Sequence, residues 1–237
     1  DLVAGDTNGA SDIFVKTLAT GVVERISTDS VGTEGDGDCY RPVFSPDGTK
    51  VAFMSAASNL VPGDTNGAID IFVKTLATGA IIRVSTAADG SESDDNNYNP
   101  VFSPDGTQVA FHTGASTLVP GDTNWQDDVF VKTIATGAII RVSTAADGSE
   151  SDGYSDSAVF SPDGTKIAFY SQATNLVPGD TNGYGDIFVK TISTGEIVRV
   201  SIAADGTESD GDSFEPTFSP DGAKVLFTST ATNLVSD

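Results

Sequence analysis

A 58-residue period governs this chain. Val43-Phe44-Ser45-Pro46-Asp47-Gly48-Thr49-Lys50-Val51-Ala52-Phe53 returns at 101–111, 159–169 and, with changes, 217–227, so that Phe44, Phe102, Phe160 and Phe218 stand 58 apart. Asp6-Thr7-Asn8 returns on the same spacing at Asp64, Asp122 and Asp180. A period of this size means stacked or radially arranged copies of one supersecondary unit, each unable to bury its apolar surface alone.

One unit, residues 42–99, reads as four short strands. Pro42–Ser45 and Lys50–Ser55 flank Pro46-Asp47-Gly48, where Pro presets φ, Asp bonds nearby backbone and Gly accepts positive φ. Asp70–Leu76 and Ala80–Ser85 flank Ala77-Thr78-Gly79. Two long polar loops, 56–68 and 86–99, complete the unit, and nothing carries a helical period over ten or more residues. Four antiparallel strands repeated radially describe the blade of a β-propeller. Strand direction alternates, so both long loops leave one face and both short turns leave the other.

The residues Phe-Ser-Pro-Asp-Gly-Thr-Lys-Val-Ala-Phe, then Asp-Ile-Phe-Val and a Thr-Gly turn before Arg-Val-Ser, resemble the TolB-type, WD-like propeller repeat. The resemblance spans all four copies. It implies the propeller fold and little about activity, because such repeats serve as periplasmic scaffolds, as propeller domains of peptidases and in secreted proteins. Asn59-Leu-Val-Pro-Gly-Asp-Thr-Asn66 is similar to a variant in large bacterial secreted proteins, which implies an extracellular or periplasmic setting.

The expected fold is therefore all-β, a single four-bladed propeller over 1–237. Its blades are expected at about 42–86, 100–144 and 158–202. The fourth is expected to form when the half-blade 216–229 pairs with the half-blade 12–28 and closes the ring. The alternative is pairing of these half-blades between chains, as a larger ring or a filament. The chain has neither an initiator Met nor a signal-like start, which reads as a mature or excised segment.

Composition bears on partners. The net charge is −22, which argues against nucleic acid and against anionic membrane, and no apolar run reaches the roughly 20 residues of a spanning helix. Of 34 acidic residues only 7 are Glu. Asp in such excess suits turns and oxygen ligation of a hard cation. Asp6/Asn8/Asp12, Asp64/Asn66/Asp70, Asp122/Asn124/Asp128 and Asp180/Asn182/Asp186 place oxygen side chains at positions 1, 3 and 7 of a short loop. That pattern suits Ca²⁺, while Asp-Thr-Asn-Gly is equally a good metal-free turn. Glu34/Asp36 and their equivalents at 92/94, 150/152 and 208/210 either complete a metal shell or are solvated.

Enzyme signals are weak. His112 is the one His, Cys39 the one Cys, and no Gly-x-Ser-x-Gly elbow is present. Paired carboxylates leave a hydrolase as the least favoured reading. Divergence between copies concentrates on the loop face, where Tyr40, Tyr98, Phe214, Trp125 and Tyr184 are candidate ligand-binding aromatics. The reading is a non-enzymatic, calcium-binding secreted scaffold, adhesion or self-assembly module, whose partner is a protein, a glycan or further copies of itself. The alternative is a glycan- or peptide-binding propeller that uses the channel mouth.

Overall fold

The structure, a computed structural model, describes residues 2–235. Its sixteen strands in chain order are β1 (Phe14–Lys16), β2 (Val23–Arg25), β3 (Cys39–Phe44), β4 (Lys50–Ser55), β5 (Asp70–Thr75), β6 (Ile81–Arg83), β7 (Asn97–Phe102), β8 (Gln108–Thr113), β9 (Asp128–Thr133), β10 (Ile139–Arg141), β11 (Ser155–Phe160), β12 (Lys166–Ser171), β13 (Asp186–Thr191), β14 (Ile197–Arg199), β15 (Ser213–Phe218) and β16 (Val225–Ser229). Three antiparallel four-stranded sheets, β3–β6, β7–β10 and β11–β14, are the three complete blades. No helix is long and apolar enough to cross a membrane among the described residues.

Side-chain chemistry explains each turn. In the first hairpin the Ser45 hydroxyl donates to Asp47 Oδ1 at 2.6 Å, and the Thr49 N–H donates to the same oxygen at 3.0 Å. The Lys50 N–H donates to Ser45 Oγ at 2.9 Å, and Gly48 takes φ 68°. The two middle strands of each blade are buried on both faces, as near-continuous apolar runs such as Ile71-Phe72-Val73 require. Between those strands Phe53 stacks on Phe72 with ring centroids 5.9 Å apart, and Phe111–Phe130 and Phe169–Phe188 repeat the pair. Fully burying one such ring contributes about 1.5–3 kcal/mol.

A lysine latch joins successive blades. Lys74 Nζ on β5 donates to the Thr28 carbonyl at 2.6 Å, the Thr28 hydroxyl at 2.8 Å and the Asp29 carbonyl at 2.7 Å. Lys132 holds Thr86 and Ala87 in the same way, and Lys190 holds Thr144 and Ala145. Burial lowers the affinity of all three lysines for their protons, Lys190 to about 8. The three donors of each ammonium are nonetheless satisfied.

Ring closure departs from expectation. β1–β2 and β15–β16 remain two separate two-stranded sheets, and among the described residues neither β16 with β1 nor any other strand pair closes the circle. Each half-blade packs on the complete blade beside it, Ile13 and Ile26 against Phe53 and Phe72 at one end and β15 against β12 at the other, and the outer edges of β1 and β16 stay unpaired. Burial follows: Phe53, Phe111 and Phe169 are at most 1 % exposed, whereas their counterpart Phe227 is half-buried and Leu226 is 70 % exposed.

Candidate functional site

Two constructions meet on the loop face and the channel. The first is an acidic cluster repeated four times. Asp64 lies in the loop before β5, Asp70 opens β5, and Glu92 lies in the loop after β6. All three carboxylates converge on Arg83 at the end of β6: Nη1 is 3.0 Å from Asp64, 3.1 Å from Asp70 and 2.8 Å from Glu92. Arg141 and Arg199 repeat this with Asp122/Asp128/Glu150 and Asp180/Asp186/Glu208. Arg25 does the same more loosely, 3.7 Å from Asp6, with Asp12 and Glu34 closer.

The structure thus brings the aspartates at positions 1 and 7 together, as the loop spacing implied, but around a guanidinium. The asparagine at position 3 does something else. Asn66 Oδ1 accepts the Ala68 N–H at 3.0 Å, an Asx turn, while Nδ2 donates to the Ser93 carbonyl at 3.0 Å and to Asp70 at 3.3 Å. Asn8, Asn124 and Asn182 form the same turn. The asparagine oxygen is therefore engaged by backbone, and the amide presents hydrogens to the cluster.

Glu34 and its equivalents are not free solvated acids. Glu92 accepts the Thr65 N–H at 2.7 Å and the Thr65 hydroxyl at 2.6 Å besides pairing with Arg83. Asp36 reaches the next blade, accepting the Ser58 N–H at 2.7 Å and hydroxyl at 2.8 Å.

Within one cluster the acids differ in proton affinity. The Thr65 hydroxyl and N–H, with Arg83, hold Glu92 down at about 2. Desolvation, only partly offset by the arginine, raises Asp64 to about 6, Asp122 to about 7 and Asp180 to about 6. Three carboxylates face one guanidinium, so the loop-opening aspartate is the acid left under-compensated. Asp180 Oδ2 is buried with no hydrogen-bond partner. Carboxylate oxygens of Asp6/Asp12/Glu34 and of Asp122/Asp128/Glu150 lie close enough together to share one ion.

The arginines were within reach of sequence reading. Four of the five arginines, Arg25, Arg83, Arg141 and Arg199, stand 58 apart in a chain poor in basic residues. A periodic cation among periodic acids is the signal for an internal ion pair.

The second construction is the channel. Arg41, Asn99, Ser157 and Glu215 occupy one equivalent position in the innermost strands β3, β7, β11 and β15, each at a bulge where register shifts by the next residue pair. All four take left-handed backbone, φ 52° to 55°. They border a shared cavity of about 400 Å³ together with Pro42, Pro100 and Pro216. Beside it runs an aromatic ladder across the blades: Tyr98 to His112 (5.5 Å), His112 to Tyr154 (6.4 Å), Tyr154 to Tyr170 (6.4 Å) and Tyr170 to Phe214 (6.0 Å). Phe214 therefore packs on Tyr170 of the neighbouring blade, while Tyr98 packs on His112 of its own blade and on the buried cluster that holds Met54 and Ile71 of the preceding one. Tyr40, Trp125 and Tyr184 are exposed and join none of the aromatic pairs among the described residues. Trp125 takes φ 57° where Gly9, Gly67 and Gly183 stand in the other copies.

No family model matches the chain, and no curated protein matches it in sequence. Solved structures do share its fold. TolB from Acinetobacter baumannii aligns with 94% of this chain at 20% identity and a TM-score of 0.52, over 46% of its own length. The propeller domain of the Trilobed protease from Pyrococcus furiosus, described as having an open velcro topology, aligns with 95% at 16% identity and a TM-score of 0.58, over 58% of its length. Dipeptidyl peptidase 4 from Porphyromonas gingivalis aligns with 96% at 13% identity and a TM-score of 0.58, over 37% of its length. The chain spans about half the length of such relatives. The likeness defines a TolB-like β-propeller fold.

Proposed function

We propose that the chain is a non-catalytic propeller scaffold of extracellular or periplasmic setting that binds a protein segment at the channel bordered by its innermost strands. One observation carries this reading: four copies of the same bulged, left-handed backbone present four different side chains, Arg41, Asn99, Ser157 and Glu215, to one cavity. Holding a non-glycine residue in that region costs on the order of 1–3 kcal/mol, and such strain clusters at ligand sites. Glu215 is the one carboxylate among the residues bordering the cavity, so the pair of acids that glycoside hydrolysis uses is missing there. The fold shared with TolB and with protease propellers supports a role in binding proteins. The test compares wild type with Arg41→Gly/Asn99→Gly/Ser157→Gly/Glu215→Gly on a peptide array. Glycine keeps the bulge, so the melting temperature holds or rises while peptide binding is lost. Unchanged binding by the fourfold variant overturns the reading.

A second reading concerns calcium. The surplus of acid over guanidinium and the unpartnered Asp180 Oδ2 favour a divalent ion beside each arginine, held by Asp6, Asp64, Asp122 and Asp180 with the neighbouring Asp and Glu. The committed asparagine oxygens and the guanidinium already in place weigh against it. An ion bound only by the native state at a hundredfold excess over Kd adds about 2.7 kcal/mol. Equal melting temperatures in calcium and in chelator at pH 8 would leave arginine as the only cation of these loops.

A further inference from the structure

We propose that His112, Asp127 and Asp95 hold one borderline divalent ion such as Zn²⁺ at the loop end of the crevice between the sheets β7–β10 and β11–β14. The inference is independent of peptide binding at the channel and of calcium beside the arginines. It starts from a departure in the repeat. Where His112 stands, the other copies carry Met54, Tyr170 and Thr228, and where Asp127 stands they carry Ser11, Ile69 and Gly185. Asp95 replaces the glycines Gly37, Gly153 and Gly211, and Asp156, in the facing blade, replaces the aromatic residues Tyr40, Tyr98 and Phe214. Gly114 stands where the others carry Ala56, Gln172 and Thr230. Divergence without a common cause scatters over the surface. Here one imidazole, its neighbouring carboxylates and one glycine change together in one crevice between two complete blades.

The geometry points the donors at one another. His112 Nε2 lies 3.9 Å from Asp127 Oδ2. The point that a Cβ on Gly114 would occupy is 3.0 Å from Asp95 Oδ2 and 3.1 Å from Asp127 Oδ1, so both carboxylates lean over that glycine and a larger residue would displace them. His112 is 5 % exposed, and among the described residues neither ring nitrogen has a hydrogen-bond partner. Buried polar groups ordinarily find one. Tyr98 at 5.5 Å and Tyr154 at 6.4 Å hold the imidazole plane from both sides, with Nε2 turned toward Asp127. The Asp127 carboxylate is likewise without an N–H or O–H donor, and no lysine or arginine pairs with Asp95 or Asp127 among the described residues. In the other copies Asp38, Asn96 and Asp212 accept the N–H of the residue equivalent to Asp127. Tyr154 stands in their place, and its hydroxyl donates instead to Asp156 Oδ2 at 2.8 Å. Burial, then the charges of Asp95 and Asp156, raises Asp127 to about 6, while burial lowers the proton affinity of His112 and leaves a nitrogen lone pair free. An imidazole among carboxylates suits a borderline ion, whereas Ca²⁺ and Mg²⁺ take oxygen alone. Zn²⁺ with bonds of about 2.0–2.2 Å holds tetrahedral donors about 3.3 Å apart, so a small turn of the Asp127 carboxylate closes the gap to His112. Three protein ligands leave the fourth position to water.

His112 is the one histidine, so its ring nitrogen NMR signals report on the ion directly. The untagged chain, stripped with chelator, is titrated with zinc chloride at pH 7 and followed by calorimetry and by those signals. One equivalent is expected to bind first, the His112 signals moving in step with it, and excess Ca²⁺ or Mg²⁺ should not displace it. His112→Met and Asp127→Ser install side chains that Met54 and Ser11 already place at the same positions of other copies. Each should weaken zinc binding at least tenfold with circular dichroism unchanged. Asp180→Asn, in an arginine cluster of the next blade, should leave zinc affinity as it is. Wild type that binds no zinc, zinc binding that leaves the His112 signals still, or variants that bind as tightly as wild type each overturn the proposal. Should one variant fail to fold, the other variant and the wild-type ring signals still decide.

Discussion

The Asp-Thr-Asn loops and the Ser-Pro-Asp-Gly turns share one period and one charge, yet their carboxylates end in opposite surroundings. Asp47 sits in water at the tip of its hairpin, and its acidity comes from local donors, the Ser45 hydroxyl first and then the Thr49 N–H. It is held at about 2, with the charge of Lys50 adding only the smallest contribution. Asp122 is 8 % exposed and lies 3.1 Å from Arg141, yet its proton affinity is raised to about 7. The difference is desolvation against donor count: two or three N–H and O–H groups outweigh one guanidinium when the latter is shared among three acids in a dry loop. An acid in a turn is a local device that fixes a hairpin. An acid in a cluster ties the loop before one strand to the end of another, and so carries tertiary information.

The largest test of that distinction removes the shared cation. Arg141→Ala leaves Asp122, Asp128 and Glu150 facing one another in a largely buried site. Breaking such a pair by deleting one partner typically costs about 3–5 kcal/mol. Urea unfolding at pH 8 should show that loss. A loss below about 1 kcal/mol would mean the guanidinium is incidental and the loops are held by their Asx turns alone.

A smaller effect separates the acids within one cluster by pH. Asp122 has a folded pKa raised above its unfolded value of 3.8, so the native state keeps a proton the unfolded chain has lost, and stability falls as pH rises from about 4 to about 7. Glu92 has the opposite sign: its folded value is depressed from 4.5 to about 2, so its contribution is present above 4.5 and lost as pH falls toward about 2. Asp122→Asn removes the first dependence while keeping an acceptor for Arg141. Relative to wild type the variant should gain about 1–2 kcal/mol between pH 4 and pH 8, discounted from the full shift for residual solvent. Parallel stability curves across that range would show that Asp122 is ionised throughout.

The same contrast explains what could be read from sequence. The hairpin turns were legible because their chemistry is local: Ser45, Asp47 and Gly48 act on atoms within five residues. Strand direction, and hence the shared face of the long loops, followed from those turns. The cluster joins residues 19 and 28 apart, Asp64 to Arg83 and Asp64 to Glu92, and its centre is a residue in a strand rather than in the loop that attracts attention. Acid spacing alone looks the same whether the enclosed cation is an ion or a side chain. Ring closure was the other miss. The repeat gives the register within each sheet, which is set by local turns, but not whether two strands about 200 residues apart meet, which depends on packing along the whole series of blades.

Turn chemistry also sets the next effect down. Asp105→Ala, in the second hairpin, removes the acceptor for the Ser103 hydroxyl and for the Thr107 N–H and hydroxyl, with water free to replace it. The loss should be about 0.5–1.5 kcal/mol, well below that of Arg141→Ala. Equal losses would erase the distinction between local and tertiary acids.

The smallest expected change lies inside the cluster loop itself. Trp125 follows the Asx-turn residue Asn124 and takes φ 57°, a conformation its three counterparts meet with glycine. Its indole is 76 % exposed, so little packing offsets the backbone strain. Trp125→Gly relieves that strain but adds freedom to the unfolded chain, and a compatible exchange of this kind shifts stability by about 0.4–1 kcal/mol. The strain term is expected to win, giving a small gain in thermal unfolding. A loss instead would show that the freedom glycine adds to the unfolded chain outweighs the strain Trp125 carries at its left-handed backbone.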